Sequence, residues 1–233
     1  LGSVGKMEET KIIFEDNDLL VLEKPAGLVV ANENGREKET VELWLVNRGL
    51  GMGLKRQGIV HRLDKGTSGI LLAAKTEEYL KYLSALFKGR QIEKRYLALV
   101  SGEVSLEGRI EMPICRSKRY FGRFEVRENG KRSETRFERM AVINFSGKKY
   151  SLVRVDLKTG RTHQIRVHFR YLGWPLVGDK LYGGVSLLGI ERPFLHAAEI
   201  SFRDKGDVLR HFESEMPIEL SHLLKKIGYE KKS

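Results

Sequence analysis

The stretch Gly58-Ile59-Val60-His61-Arg62-Leu63-Asp64-Lys65-Gly66-Thr67-Ser68-Gly69-Ile70-Leu71-Leu72-Ala73-Ala74 limits the fold more than any other part of the chain. Two apolar runs flank a polar turn punctuated by glycine. Ile, Val and Leu dominate the runs, which are too short for helices, so both are expected as buried strands. The turn between them carries one acid, Asp64, beside Arg62 and Lys65. A carboxylate on a turn between core strands is positioned by a rigid scaffold, as catalytic groups often are. Neighbouring cations favour its ionised form. Ionised and partly shielded from water, it is a candidate nucleophile. The plainer alternative is that Asp64 bonds turn backbone, as aspartate commonly does.

The remaining sequence has to supply the core around that turn. The chain has 233 residues, 41% of them hydrophobic, which suffices for one core or one core with two lobes. No apolar run reaches the ~18 residues of a membrane span, so no membrane partner is expected. Residues 1–10 read as a flexible N-terminal segment or the stump of a removed domain, and 11–233 as the folded domain. Cys115 is the one cysteine, which rules out an intrachain disulfide and fits a reducing, cytoplasmic setting. A formal net charge of +11 favours a polyanionic partner, nucleic acid first, over mere solvation of the surface.

Strand signals alternate with helix signals along the chain. Lys11 to Glu23 reads as strand, acidic turn and strand, broken by Lys24-Pro25-Ala26-Gly27. Thr40 is a plausible cap for a short helix to Arg48. Lys75 to Lys88 spaces Tyr79, Leu80, Leu83, Leu86 and Phe87 as a core-facing helix that Gly89 should stop. Lys94 to Val100 is a strand carrying Tyr96, where a tyrosine is ordinarily packing. Arg119-Tyr120-Phe121-Gly122-Arg123-Phe124 interleaves cations and aromatics. Such a segment either stacks bases and neutralises phosphates or is a hairpin with its rings turned inward. Ser133 to Asn144 and Tyr150 to Leu157 read as a strand and its return. Thr162 should then cap a helix from His163 to Leu172 with Ile165, Phe169 and Leu172 on one face. Arg166 falls in its first turns, where the helix dipole disfavours a cation, so something else must recommend it. The many hairpins predict a mixed α+β fold with a largely antiparallel sheet flanked by helices.

Three quoted motifs carry a family resemblance. His61-Arg62-Leu63-Asp64 followed by Thr67-Ser68-Gly69 resembles the HRLDxxTSG signature of the RluA-type pseudouridine synthases. Leu157-Lys158-Thr159-Gly160-Arg161-Thr162-His163-Gln164-Ile165-Arg166-Val167-His168 resembles that family's L-x-T-G-R-x-H-Q-I-R-V-H motif, and Lys94-Arg95-Tyr96 its K-x-Y context. The glycine-rich Trp174–Gly183 and the Arg192–Phe202 segment are similar to two further motifs and read mainly as shape, with His196 hydrogen-bonded in the interior. The likeness runs in matching order from about residue 12 to residue 202.

The resemblance implies the pseudouridine synthase fold, with two lobes around a central catalytic cleft, and isomerisation of uridine to pseudouridine in RNA. It implies Asp64 as nucleophile, Arg166 as its paired cation, and Tyr96 against the target base as proton acceptor or stacking group. Arg62 is implied to fill the space of a flipped base. His61, Lys65, Arg161, His163, Arg119 and Arg123 are the further candidate RNA contacts. Large-subunit ribosomal RNA is the first expected substrate and transfer RNA the second, with a non-catalytic RNA-binding protein on the same fold as the other alternative. A monomer is expected. No metal is expected, because the six histidines stand in no ligand spacing with paired acids or cysteines. No cofactor is expected either, since an isomerisation imports no group and oxidises nothing.

Overall fold

The computed structural model describes residues 6, 7, 9–32, 35 and 37–230. The expectation for residues 1–10 therefore falls largely outside the described residues. In chain order the strands and helices are β1 (Lys11–Glu15), β2 (Leu19–Lys24), α1 (Val41–Asn47), β3 (Ser68–Ala74), α2 (Glu77–Gly89), β4 (Glu93–Ser101), β5 (Glu107–Ile110) and β6 (Ile114–Arg116). They continue with β7 (Phe124–Val126), β8 (Thr135–Phe145), β9 (Lys148–Leu157), α3 (Gln164–Tyr171), β10 (Leu195–Arg203), β11 (Leu209–Glu213) and α4 (Ile218–Lys226). The chain divides into two compact units, residues 1–93 with 197–215 and residues 94–196 with 216–233.

In the first unit the strands run in the order β1-β2-β3-β10-β11. The hairpin read from Lys11 to Glu23 is present, and β2 pairs antiparallel with β3 from Leu19–Ala74 to Lys24–Gly69. Every residue of β3 is buried, as its apolar run requires. Helix α2 lays Tyr79, Leu83 and Leu86 on Leu19, Val21, Ile70 and Leu72. Each such aliphatic side chain contributes about 1.5–3 kcal/mol by leaving water. Thr40 caps α1 as expected, its hydroxyl accepting from Leu43 N–H at 3.0 Å. Thr76 does the same for α2, through Tyr79 N–H. Gly89 lies inside α2 and not beyond it; Arg90 takes the left-handed position that closes the helix.

The first apolar flank, Gly58 to Val60, is not a strand. Ile59 makes a single bridge to Ala73. β3 already has β2 on one side and β10 on the other, so only its end is open to a third segment. Apolarity at Ile59 reported burial and not ladder membership. Gly58 itself is required: its φ is +80°, and a Cβ would lie 1.9 Å from the Ala74 carbonyl oxygen.

In the second unit the order is β4-β9-β8-β5, all antiparallel, with β6 and β7 forming a separate hairpin. On β9, Val153, Val155 and Leu157 are buried while Arg154 and Asp156 face outward, as the alternation predicts. One face takes α4, which packs Leu220, Leu223 and Leu224 on Leu99, Tyr150 and Leu152. The other takes α3, whose Phe169 meets Phe137 of β8 at 5.3 Å.

The start of α3 differs from expectation. His163 precedes the helix in the left-handed region at φ +57° and no side chain caps it there; Thr162 has no capping role. Leu172 is exposed instead of sharing the apolar face with Ile165 and Phe169. The buried side of α3 is polar as well as apolar and includes Gln164, Arg166 and His168, so its face is set by specific bonds and not by apolar spacing alone.

Candidate active site

Asp64 sits half-buried on an irregular turn that ends where β3 begins. The turn is pinned from several sides. Thr67 N–H donates to the Asp64 carbonyl at 3.0 Å, and Gly27 N–H to the Lys65 carbonyl at 2.7 Å. Lys24 is fully buried, and its ammonium donates to the carbonyls of Pro25 and Leu28 at 2.8 Å each and to Lys65 O at 3.5 Å. A buried cation is tolerable when such acceptors satisfy it. Lys24 thus ties the 25–28 segment to the turn. His61 stacks on Phe87 at 4.7 Å, and its Nε2 accepts from Leu72 N–H at 2.9 Å. Gly69, at φ +115°, lets β3 approach β10 so closely that a Cβ would lie 2.2 Å from Ala197 O. His61 and Gly69 of the motif, with Lys24 from outside it, hold the backbone on which the acid stands. Arg62 and Lys65 are exposed, with the Lys65 ammonium 2.9 Å from Glu37.

Tyr96 belongs to the second unit and is buried on β4. Tyr96, Val155 and Phe137 form one row across β4, β9 and β8. Because Phe137 meets Phe169, Tyr96 lies on the sheet face that α3 covers. Lys94 shares that face two residues earlier. Burial, and then the charge of Lys158, lowers its pKa to about 8.

Arg166 projects from the first turn of α3 and is buried. Its Nε and Nη2 donate to the two carboxylate oxygens of Asp179 at 2.7 and 2.8 Å. Asp179 lies in the 174–183 stretch, which the sequence marks mainly as shape. What marks it is its bond to Arg166, which no local pattern in the sequence shows.

The loop before α3 is braced by polar bonds. Gln164 Oε1 accepts from Thr159 Oγ1 at 2.7 Å and Arg161 N–H at 3.0 Å, while its Nε2 donates to Glu134 O and Thr135 Oγ1 at 2.9 Å each. The Arg161 guanidinium reaches the Arg132 carbonyl at 3.3 Å. His163 Nδ1 lies 2.8 Å from the Tyr182 hydroxyl, which also accepts from Phe124 N–H at 2.9 Å.

In the β6–β7 hairpin the rings of the 119–124 segment divide between packed and exposed positions. Phe124 packs inward against Val167 and Tyr182. Phe121 stands at the tip with 93% of its surface exposed, and Tyr120 beside it is also exposed. The Arg119 and Arg123 guanidinium groups lie 5.4 and 4.9 Å from the Tyr120 ring centre. Among the described residues, no carboxylate pairs with Arg116, Lys118, Arg119 or Arg123.

Among the described residues no group of three or more histidines, cysteines, aspartates or glutamates is placed to hold a metal ion. Cys115 is half-buried with a free thiol.

Comparison with known proteins places these features in a context. The sequence pattern of the RNA pseudouridylate synthase family matches residues 18–171. A ribosomal large subunit pseudouridine synthase D of Nitrosomonas europaea is 38% identical over 228 residues, covering 93% of this chain and 65% of that protein. An uncharacterized RNA pseudouridine synthase of Mycobacterium bovis is 37% identical over 229 residues, covering 94% of this chain and 73% of that one. Among solved structures, human RNA pseudouridylate synthase domain containing 1 is similar at a TM-score of 0.74 and 29% identity, covering 93% of this chain and 87% of that one.

Proposed function

The chain belongs to the RNA pseudouridylate synthase family, and we propose that it isomerises uridine to pseudouridine in RNA, with large-subunit ribosomal RNA as the first candidate substrate. The observation that carries this reading is the Asp64 turn, which lies within the matched region. Its backbone is held by a buried ammonium, a stacked imidazole and a glycine that admits no Cβ. That much reinforcement around one carboxylate is what a group that must meet a reacting atom in fixed geometry requires. The relatives named for the large ribosomal subunit support the choice of RNA. Transfer RNA is the second candidate.

The reaction breaks the bond between ribose C1′ and uracil N1, turns the base and joins C1′ to C5. The proton on C5 leaves and N1 gains one. The uridine first leaves its stack, because the glycosidic bond is unreachable inside a helix. Arg62, exposed beside the turn, is assigned to fill the vacated space. Asp64 attacks either the ribose or the ring. Tyr96 accepts the C5 proton, directly or through water, or stacks on the base. Arg166 is assigned, on the resemblance, to pair with Asp64 and orient it. His61 and His163 hold backbone and loop geometry around the RNA contacts, and Lys65 can exchange Glu37 for phosphate because an exposed ion pair contributes little. Arg161, Arg119 and Arg123 are assigned to phosphates, with Phe121 offering a bare ring to an unstacked base. The proposed setting is a cytoplasmic monomer without cofactor.

The test is to map pseudouridines in total RNA from cells with and without this gene, then to assay Asp64→Ala on the RNA whose signal disappears. The variant is expected to bind that RNA and form no pseudouridine. Product formed at the wild-type rate would remove Asp64 from the mechanism. No missing signal in any RNA would favour a binding protein over an enzyme.

A further inference from the structure

We propose that Asp179 is a positioning residue for this reaction, fixing the plane of the Arg166 guanidinium in the orientation in which that arginine acts. The inference rests on the role assigned to Arg166 above. Arg166 lies in the first turn of α3, where the positive end of the helix dipole opposes a cation. It is also buried, so an opposite charge must accompany it. Asp179 supplies that charge in a two-bond fork, Nε to Oδ2 at 2.7 Å and Nη2 to Oδ1 at 2.8 Å, with side-chain exposures of 8% and 1%. Tyr182 completes the clamp. Its ring centre lies 4.9 Å from the guanidinium carbon, and its backbone N–H donates to Asp179 Oδ1 at 3.3 Å. The fork fixes rotation in the guanidinium plane and the ring covers one face.

Stability alone does not account for this arrangement. A buried ion pair is often no more stabilising than apolar side chains of the same volume. What the pair provides beyond an apolar contact is direction, because a planar fork matches a carboxylate in one orientation and a lysine ammonium does not. Asp179 therefore acts through Arg166. The hydroxyl of the same Tyr182 bonds His163 and Phe124 at the start of β7, so the clamp is anchored to the elements proposed to meet RNA.

The experiment uses the 233-residue chain and the RNA identified by mapping. Single-turnover rate, RNA dissociation constant and melting temperature are measured for wild type, Asp179→Asn, Asp179→Glu, Arg166→Lys and the Arg166→Lys/Asp179→Asn pair. Misplacement of a catalytic arginine by about 1 Å predicts a rate loss of roughly 100-fold in Asp179→Asn. The dissociation constant should stay within about threefold, and Asp179→Asn should cost less than about threefold more in the Arg166→Lys background. Asp179→Glu, which keeps the charge but moves it by one methylene, should also lose rate. A folded Asp179→Asn at the wild-type rate, equal losses in both backgrounds, or failure of both Asp179 variants to fold would each overturn the proposal. Those outcomes leave the enzymatic reading standing as long as wild type makes pseudouridine. An inactive wild type would overturn both.

Discussion

At the scale of single residues, polar side chains with no place in the chemistry hold much of this molecule together, and His168 makes that measurable. It is fully buried on α3, with Nδ1 2.9 Å from the Thr135 hydroxyl and Nε2 2.9 Å from the Met112 carbonyl. A carbonyl only accepts, so Nε2 carries a proton. Burial lowers its pKa from the usual 6.5. The unfolded chain then binds more protons than the folded one below about pH 6.5, so stability rises with pH across that window at up to ~1.4 kcal/mol per unit. The contribution is complete above about pH 6.5 and is lost as pH falls toward the lowered folded value. Melting curves of wild type and His168→Gln between pH 5 and 8 check this. The wild-type melting temperature should fall more steeply on acidification, by about 2–4 °C for each kcal/mol lost. Parallel curves would remove His168 from the acid response, whatever the carboxylates do.

At the scale of elements, the sequence was most legible where one local rule sufficed. The Lys11–Glu23 hairpin, the Thr40 cap, the helical spacing from Tyr79 to Phe87 and the alternation on β9 all follow from period and cap chemistry, and all stand in the structure. The misreadings share another cause. Val60 and Leu172 were placed by apolarity, but the edges of β3 are occupied and the buried side of α3 is set by Gln164, Arg166 and His168. Those partners are distant in sequence, and no local pattern announces them. A long motif singles out Asp64 as a candidate; nothing local singles out Asp179, whose mark is its bond to Arg166, thirteen residues away. The β6–β7 hairpin was legible only as an ambiguity, and its bare Phe121 decides what should be measured. Stacking of one base on an aromatic side chain is worth about 1–3 kcal/mol, so Phe121→Ser should weaken RNA binding by about 5- to 150-fold. Its salt dependence should not change, because no charge is removed. Unaltered affinity in a filter-binding or fluorescence titration would leave the exposed ring without a base.

At the scale of the molecule, the excess of positive charge is not spread evenly, and this distinguishes surfaces that can meet a polyanion from those that cannot. Arg95, Asp156, Arg136 and Arg109 align in one row across β4, β9, β8 and β5. The next row sets Arg154 against Glu138. Arg109 also pairs with Glu111 and Glu134, and Arg136 with Glu134. Each exposed pair is worth at most about 1 kcal/mol, but together they cancel the field of this part of the sheet. The tip of the β6–β7 hairpin has the opposite character, with Arg116, Lys118, Arg119 and Arg123 outside any ion pair with a described carboxylate. Counterion release converts that contrast into a number. Each phosphate neutralised contributes about 0.7–0.9 to the slope of log affinity against log salt. Arg119→Gln with Arg123→Gln should therefore flatten the slope by between one and two, roughly uniformly across RNA sequences. Arg109→Gln with Arg136→Gln removes the same formal charge from the paired rows and should leave the slope where it was. Titrations of wild type and the two double variants between about 50 and 200 mM salt separate these outcomes. Equal flattening in both would mean that net charge alone steers the chain to RNA, and the hairpin would lose its place as the site of phosphate contact.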